Sequence, residues 1–427
     1  RKFRGVCLHH DLGPLGAAIS KAAIRRQLTI LKDMGCDAIR TSHNMPAEEL
    51  IELCDEMGFM VMCENFDEWD IAKCENGYHR FFNVDSGDGR IWAERDMINM
   101  LHHFRNNASV VMWSIGNEVP SQWKPEGRVV AAWLQGICHT EDPTRPVTCG
   151  MDQYNSVVIN GFAEQLDIVG FNYKVDRYLP AYELLPQRII LGSETASTVS
   201  SRGVYHFPVM NTNISDKSKA ERAAMEKNIR FSDYHNSSYD TEVVTWGNLP
   251  DYDWVQQEDK PWVIGEFVWT GFDYLGEPTP YYTNWPSHSS LFGIIDLAGL
   301  PKDRYYLYRS HWNKADHTLH ILPHWTWNGR EGETTPVFVY SDYPTVELFI
   351  NGVSQGKRTK DLSVKIDDTE NDASRKSLAR QKRYRHMWMD TKYEPGTLRA
   401  VAYDADGNAC METEVHTAGK PYAIQLV

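Results

Sequence analysis

The chain has 427 residues, more than one hydrophobic core usually supports, so a large domain with at least one smaller companion is expected. Hydrophobic residues make up 42% and no run of 18 apolar residues occurs, which argues against a membrane-spanning helix. The formal net charge is -14 (44 basic against 58 acidic residues), the wrong sign for a nucleic-acid partner.

In chain order, short apolar runs alternate with amphipathic stretches through the first two thirds, the texture of a parallel sheet with crossover helices. Eight strands are expected, at Phe3–Leu8, Ala38–Thr41, Met60–Glu64, Val110–Ile115, Val147–Gly150, Ile168–Asn172, Ile189–Leu191 and Trp262–Val268. Ile24, Leu28, Leu31 and Met34 recur at helical spacing after a cap at Ser20. Pro46 is expected to begin a second helix and Gly58 to close it. Trp92–Phe104 and Val129–Ile137 suit two more. Eight such units point to a closed (β/α)8 TIM barrel, catalytic domain 1–315, within the usual roughly 200 to 400 residues. An open doubly wound sheet would place a Gly-rich turn after an early strand, and Leu8-His9-His10-Asp11 stands there instead. The long stretch Thr195–Asp259 is read as one wall of a substrate cleft.

After about residue 330 the pattern changes. Val337–Tyr340, Val346–Ile350 and Leu398–Tyr403 alternate with turns at Asn351-Gly352, Pro395-Gly396 and Asp406-Gly407. A smaller immunoglobulin-like β-sandwich over 316–427, linker included, is expected. The dense basic run Arg375–Arg385 reads as a solvated loop. The eight Cys lack CxxC spacing, and most read as buried free thiols. Aromatics at 12%, with 14 Trp, suit a sugar site or equally a large aromatic core.

Two Glu residues end barrel strands, where a barrel's reactive face lies: Glu118 after the fourth and Glu194 after the seventh. Glycoside hydrolysis requires such a pair, one proton donor and one group that attacks or activates water. Glu266 also ends an apolar run and is the rival for the second role. Arg105-Asn106-Asn107-Ala108-Ser109, running on through Trp113-Ser114-Ile115-Gly116-Asn117-Glu118, resembles the acid/base signature of glycoside hydrolase family 2, and Ala38-Ile39-Arg40-Thr41-Ser42-His43 resembles its other signature. The resemblance covers residues 1 to 315. It implies that Glu118 is the acid/base and Glu194 the nucleophile of a retaining β-glycosidase, whose carboxyl groups stand about 5 to 5.5 Å apart. It further implies substrate contacts for Asn117 (a sugar 2-hydroxyl), Tyr173, Trp269 (the subsite floor), Arg40, His43 and, on a looser match, His9. Core aromatics are the plain alternative for Tyr173 and Trp269, and structural imidazoles for the two His.

The resemblance requires no cofactor. Some relatives hold a divalent ion near the third strand, where Glu68 matches one ligand and Asp70 replaces the His. The region corresponding to the Asn-x-Lys motif of glucuronide-cleaving relatives is Asn284-Trp285-Pro286-Ser287-His288, without the Lys, which disfavours glucuronides; the stretch Asn284–Lys302, above all Phe292-Gly293-Ile294-Ile295-Asp296 and Pro301-Lys302-Asp303, resembles β-galactosidases and favours a terminal β-galactoside of an oligo- or polysaccharide. The family's sugar-binding jelly roll and immunoglobulin-like domain ahead of the barrel have no counterpart here, so the chain is read as a fragment. A periplasmic or secreted location suits it, and a homo-oligomer stays open. The competing classes are another β-glycosidase of the family (β-glucuronidase or β-mannosidase) and a glycan-binding barrel without activity. The late domain could act as a glycan-binding module if aromatics such as Trp388 lined a groove.

Overall fold

The computed structural model describes residues 2–209, 233–282, 287–363, 373–421 and 423–424, with the side chains of 373–377 excepted. Asn284, Trp285 and Pro286, which carried the argument against glucuronides, lie outside these residues, as does 210–232 of the expected cleft wall. The chain packs as two compact units, Arg1–Thr198 with Val243–Leu300, and Val199–Glu242 with Pro301–Val427.

The first unit is a closed parallel barrel of eight strands: β1 (Phe3–Leu8), β2 (Ala38–Thr41), β3 (Met60–Glu64), β4 (Val110–Asn117), β5 (Val147–Met151), β6 (Val169–Asn172), β7 (Ile190–Ala196) and β8 (Val263–Trp269). Strands covered on both faces can be apolar throughout, which is why these runs are legible without alternation. The ring closes where β1 pairs in parallel with β8, Phe3 opposite Gly265. Gly265 has φ 126, and a Cβ there would lie 2.3 Å from the Phe3 nitrogen, so only glycine lets the two strands meet.

Between strands, the helix Lys21–Met34 starts where Ser20 Oγ accepts the Ala23 N–H and stops at left-handed Gly35, burying Ile24, Leu28, Leu31 and Met34. The second helix does not start at Pro46. The chain stays extended through Ala47, and the helix runs Glu48–Met57, where Glu48 and Glu49 complement the positive end of the helix dipole. Gly58 closes it in the left-handed conformation.

The second unit contains a β-sandwich of two antiparallel sheets. β9 (Leu319–Leu322), β10 (Val337–Ser341) and β13 (His386–Trp388) form one, in the order β13-β10-β9. β11 (Thr345–Ile350), β12 (Val353–Thr359), β14 (Thr397–Tyr403) and β15 (Ala409–His416) form the other, in the order β12-β11-β14-β15. Val337 and Val339 face Val346, Leu348, Leu398 and Ala400 in its core. The β11–β12 hairpin turns at Asn351 (φ 49) and Gly352 (φ 82), both left-handed, as a two-residue turn requires. Helix Asp303–Trp312 packs on β9 and β10 in the same unit.

Two expectations fail here. The basic run is a helix, Ala373–Tyr384, and Arg380, Arg383 and Arg385 are buried: Arg385 Nη1 donates to the Asp240 carbonyl at 3.0 Å, a partner 145 residues away that local composition cannot announce. Trp388 is 2% exposed inside the sandwich, its indole N–H given to the Gly356 carbonyl, so it lines no groove. All eight cysteines are free, with only Cys74 and Cys410 exposed. Among the described residues no helix is long and apolar enough to cross a membrane.

Candidate active site

The barrel places its chemistry at the carboxyl ends of its strands. Just past β4 the Glu118 N–H donates to Gly150 O at 2.8 Å, and just past β6 the Tyr173 N–H donates to Glu194 O at 2.9 Å. Both Glu118 (φ 45) and Tyr173 (φ 58) adopt the left-handed conformation, which costs a non-glycine residue about 1–2 kcal/mol and is held here by the flanking strands. The two turns point both side chains into a pocket of about 520 Å³, within the range of about 300–1,000 Å³ for small-molecule sites.

Glu194 is 4% exposed. Arg40 Nη1, at the foot of the pocket, donates to its Oε1 at 2.6 Å, and the Tyr173 hydroxyl donates to its Oε2 at 2.7 Å. Arg40 is fully buried and divides its guanidinium among several acceptors. Nε and Nη2 both reach Glu64 (3.0 and 2.8 Å to Oε2), Nη2 also reaches Asn117 Oδ1 (2.9 Å), and Nη1 reaches Ser193 O (3.1 Å). Burial alone would raise the Glu64 carboxyl; the Arg40 guanidinium and His43 outweigh it and hold that group below the usual carboxylate range. The Ser114 hydroxyl donates to Glu64 Oε2 at 2.5 Å, and His43 Nδ1 lies 2.7 Å from Oε1.

Glu118 has different surroundings. Asn172 Nδ2 donates to its Oε1 at 3.0 Å and to Asn117 Oδ1 at 2.9 Å. Burial, then the charges of Glu194 and Asp152, push its carboxyl up to about 7, against the pull of Lys73. Lys73 Nζ is fixed by Asp67 Oδ1 (2.7 Å) and Asn117 O (2.9 Å).

Aromatic faces complete the pocket. Trp269, at the end of β8, stacks on His43 with ring centres 5.3 Å apart and planes within 3°. The His9 ring lies 5.0 Å from Trp269 and 4.6 Å from Tyr274. Burial, and then His43 beside it, pull His9 down to about 3, so it is a neutral imidazole at working pH.

Seven of the expected site residues therefore line one pocket: His9, His43, Asn117, Glu118, Tyr173, Glu194 and Trp269. Arg40 lies beneath it and meets Glu194 directly. The rival Glu266 is outside the lining, and its oxygens accept from Thr195 Oγ1 (2.7 Å) and Trp254 Nε1 (2.9 Å). Glu68 accepts from the N–H groups of Lys73 (2.6 Å) and His79 (2.8 Å), and among the described residues no cluster of three His, Cys, Asp or Glu is arranged for a metal. Sequence reasoning gave no role to Asn172, Ser193, Asp152 or Lys73, and met Glu64 only as the last residue of the third strand. Glu64 did carry a signal, the one that found Glu118 and Glu194: a carboxylate ending an apolar barrel strand. Of the expected cleft wall, Trp246 lines the pocket.

The model of the TIM barrel domain of glycosyl hydrolases family 2 matches residues 2–283, and a second model, described as a domain of unknown function, matches residues 332–411. A β-galactosidase of Bacteroides ovatus is 38% identical over an alignment covering 100% of this chain and 49% of that protein. A putative β-glucuronidase of Formosa agariphila is 33% identical, over 98% of this chain and 38% of that protein. Among solved structures, a β-glycosidase from Bacteroides vulgatus superposes with TM-score 0.77 at 32% identity, covering 100% of this chain and 51% of that one. The chain thus spans about half the length of these relatives, or less. With its eight-stranded barrel, its paired strand-end glutamates and a family match across two thirds of its length, the chain belongs to glycoside hydrolase family 2.

Proposed function

We propose that the chain carries the catalytic part of a retaining exo-β-glycosidase that removes terminal β-galactosides, with Glu194 as nucleophile and Glu118 as acid/base. One observation carries the reading: two carboxyl groups face a single pocket in opposite electrical settings. Glu194 takes donors from Arg40 and Tyr173, an arrangement suited to a carboxylate, while among the described residues no cation is bonded to Glu118 and its carboxyl is pushed up to about 7.

The reaction follows from that contrast. A Glu194 oxygen bonds to the anomeric carbon as the bond to the leaving oxygen breaks, and Glu118 gives its proton to that oxygen. The ester at Glu194 removes one of the charges that hold the Glu118 carboxyl up. Glu118 then takes a proton from water, the water oxygen bonds to the anomeric carbon, and Glu194 leaves as carboxylate. Arg40 and Tyr173 hold the nucleophile's oxygens in place across both steps, so little reorganisation is required.

Galactoside cleavage is supported by the Bacteroides ovatus relative, named a β-galactosidase. The Formosa agariphila relative, named a putative β-glucuronidase, favours a second reading. Against it, among the described residues the pocket lining sets Asp67, Asp152, Glu194 and Glu277 against Lys73, Lys174 and the Arg40 beneath Glu194, a surplus of negative charge that repels a sugar carboxylate. The test is a panel of aryl β-glycosides (galacto, gluco, manno, glucurono, fuco) on the full-length protein, with E118Q and E194Q beside it. Preference for galactosides is the expected result, with E194Q inactive and E118Q losing activity except on aglycones that leave without a proton. Undiminished activity in E194Q defeats the nucleophile assignment, and preference for the glucuronide defeats the substrate assignment.

A further inference from the structure

Two acids behind β7 have no part in the mechanism above. Glu266 on β8 is 1% exposed, and Asp253, in the helix Pro250–Glu258, is fully buried. They hold the two residues that follow Glu194. Thr195 Oγ1 donates to Glu266 Oε2 at 2.7 Å, and the Ala196 N–H donates to Asp253 Oδ2 at 3.0 Å. Trp254, next to Asp253 in the chain, gives its indole N–H to the other Glu266 oxygen at 2.9 Å. Asn248 Nδ2 reaches Asp253 Oδ1 at 3.5 Å, while the Asn248 N–H donates to Ala196 O at 2.6 Å. Every partner is neutral, and no Lys, Arg or His pairs with either carboxyl among the described residues.

Two buried acids without a cation are costly unless something depends on them. Burial pushes the Glu266 carboxyl up to about 7; burial and then the Glu266 charge push Asp253 well above the carboxylate range. We infer that Glu266 and Asp253 are positioning residues for Glu194: they grip Thr195 and Ala196 from behind, fixing where β7 ends and thus where the Glu194 carboxylate meets the anomeric carbon. The inference rests on Glu194 being the nucleophile. Arg40 and Tyr173 fix the carboxylate from the pocket side, and the acid pair fixes the backbone that carries it.

The test reads nucleophile attack apart from sugar binding, in the full-length protein. A 2-deoxy-2-fluoro-β-glycosyl fluoride, of the configuration the protein hydrolyses, bonds its anomeric carbon to the nucleophile and releases fluoride, leaving a slowly hydrolysed ester. Its labelling rate is measured in wild type, T195V, T195S, E266Q and D253N, beside the inhibition constant of the free sugar. T195V, E266Q and D253N should label at least about tenfold more slowly, as expected when a buried hydrogen-bonding group is left without its partner. T195S, which keeps the hydroxyl, should label near the wild-type rate, and sugar inhibition should stay within about twofold throughout. If E266Q or D253N does not fold, the Thr195 pair decides. Wild-type labelling rates in T195V, or labelling and sugar binding falling in equal proportion, would overturn the inference. Mass spectrometry locates the label in wild type: a site other than Glu194 would bring down the nucleophile reading itself, and this inference with it.

Discussion

Replacing Arg40 by Met keeps most of the side-chain volume and removes the guanidinium on which Glu64 and Glu194 converge. Arg40 is 0% exposed, and without its charge two acids are left facing each other in the barrel. Taking one partner from a buried ion pair costs about 3–5 kcal/mol, because the other charge stays buried without compensation. At roughly 2–4 °C per kcal/mol for domains of some 150–250 residues, the melting midpoint should fall by about 6–20 °C. The pH dependence carries the sharper test. In the wild type the Glu64 carboxyl is held below its ordinary value. Its stabilising contribution is therefore present above the unfolded value and lost as the pH falls through the folded one. Without Arg40, burial dominates and the sign reverses: folded Glu64 binds its proton more tightly than unfolded, so the variant gains stability on acidification from pH 8 toward 5. Differential scanning fluorimetry across that range, with R40M/E64Q beside R40M, measures it. The double variant should recover part of the lost stability and none of the activity. A midpoint at pH 8 within about 1 °C of wild type, or parallel pH curves, would falsify the electrostatic account of this site.

Y173F removes the donor to Glu194 Oε2 and should lower kcat/KM about 10- to 100-fold, the equivalent of roughly 1.5–3 kcal/mol, in steady-state assays with an aryl galactoside. The Glu118 carboxyl is pushed up to about 7 and acts while protonated, so kcat/KM should decline as the pH rises through about 7. E118Q should lose that limb on a substrate with an activated leaving group, and a limb that persists there belongs to another residue. W388A empties a core position of the sandwich and should cost about 3–5 kcal/mol in urea denaturation; an unchanged midpoint would contradict its burial.

The barrel was legible because its strands are buried on both faces and stand out as apolar runs. The ends were harder: β7 continues to Ala196, past the polar Ser193-Glu194-Thr195 that seemed to stop it, because those side chains find partners on neighbouring strands. Strand-end position singled out Glu118 and Glu194 only together with Glu266 and Glu64, and the resemblance to the family signatures was needed to choose between them. Position did not reveal that Arg40 would be shared with Glu64, or that Asn172 would bridge Asn117 and Glu118, since spacing along a strand says which face a residue takes and not whom it meets across a barrel. The same limit hid the burial of Arg385 and Trp388, whose partners lie 145 and 32 residues away.

Because β1 is sealed against β8, the ring has no shortcut to completion. Phe3 is paired with Gly265, and at about 5–20 residues per second a ribosome adds the intervening stretch in roughly 15–50 s. For that interval the first strand has one edge open, carrying unmatched amide and carbonyl groups to whatever extended segment passes. Slow translation of the β7–β8 region would lengthen that exposure, and early binding of a holding chaperone to Phe3–Leu8 would shield it.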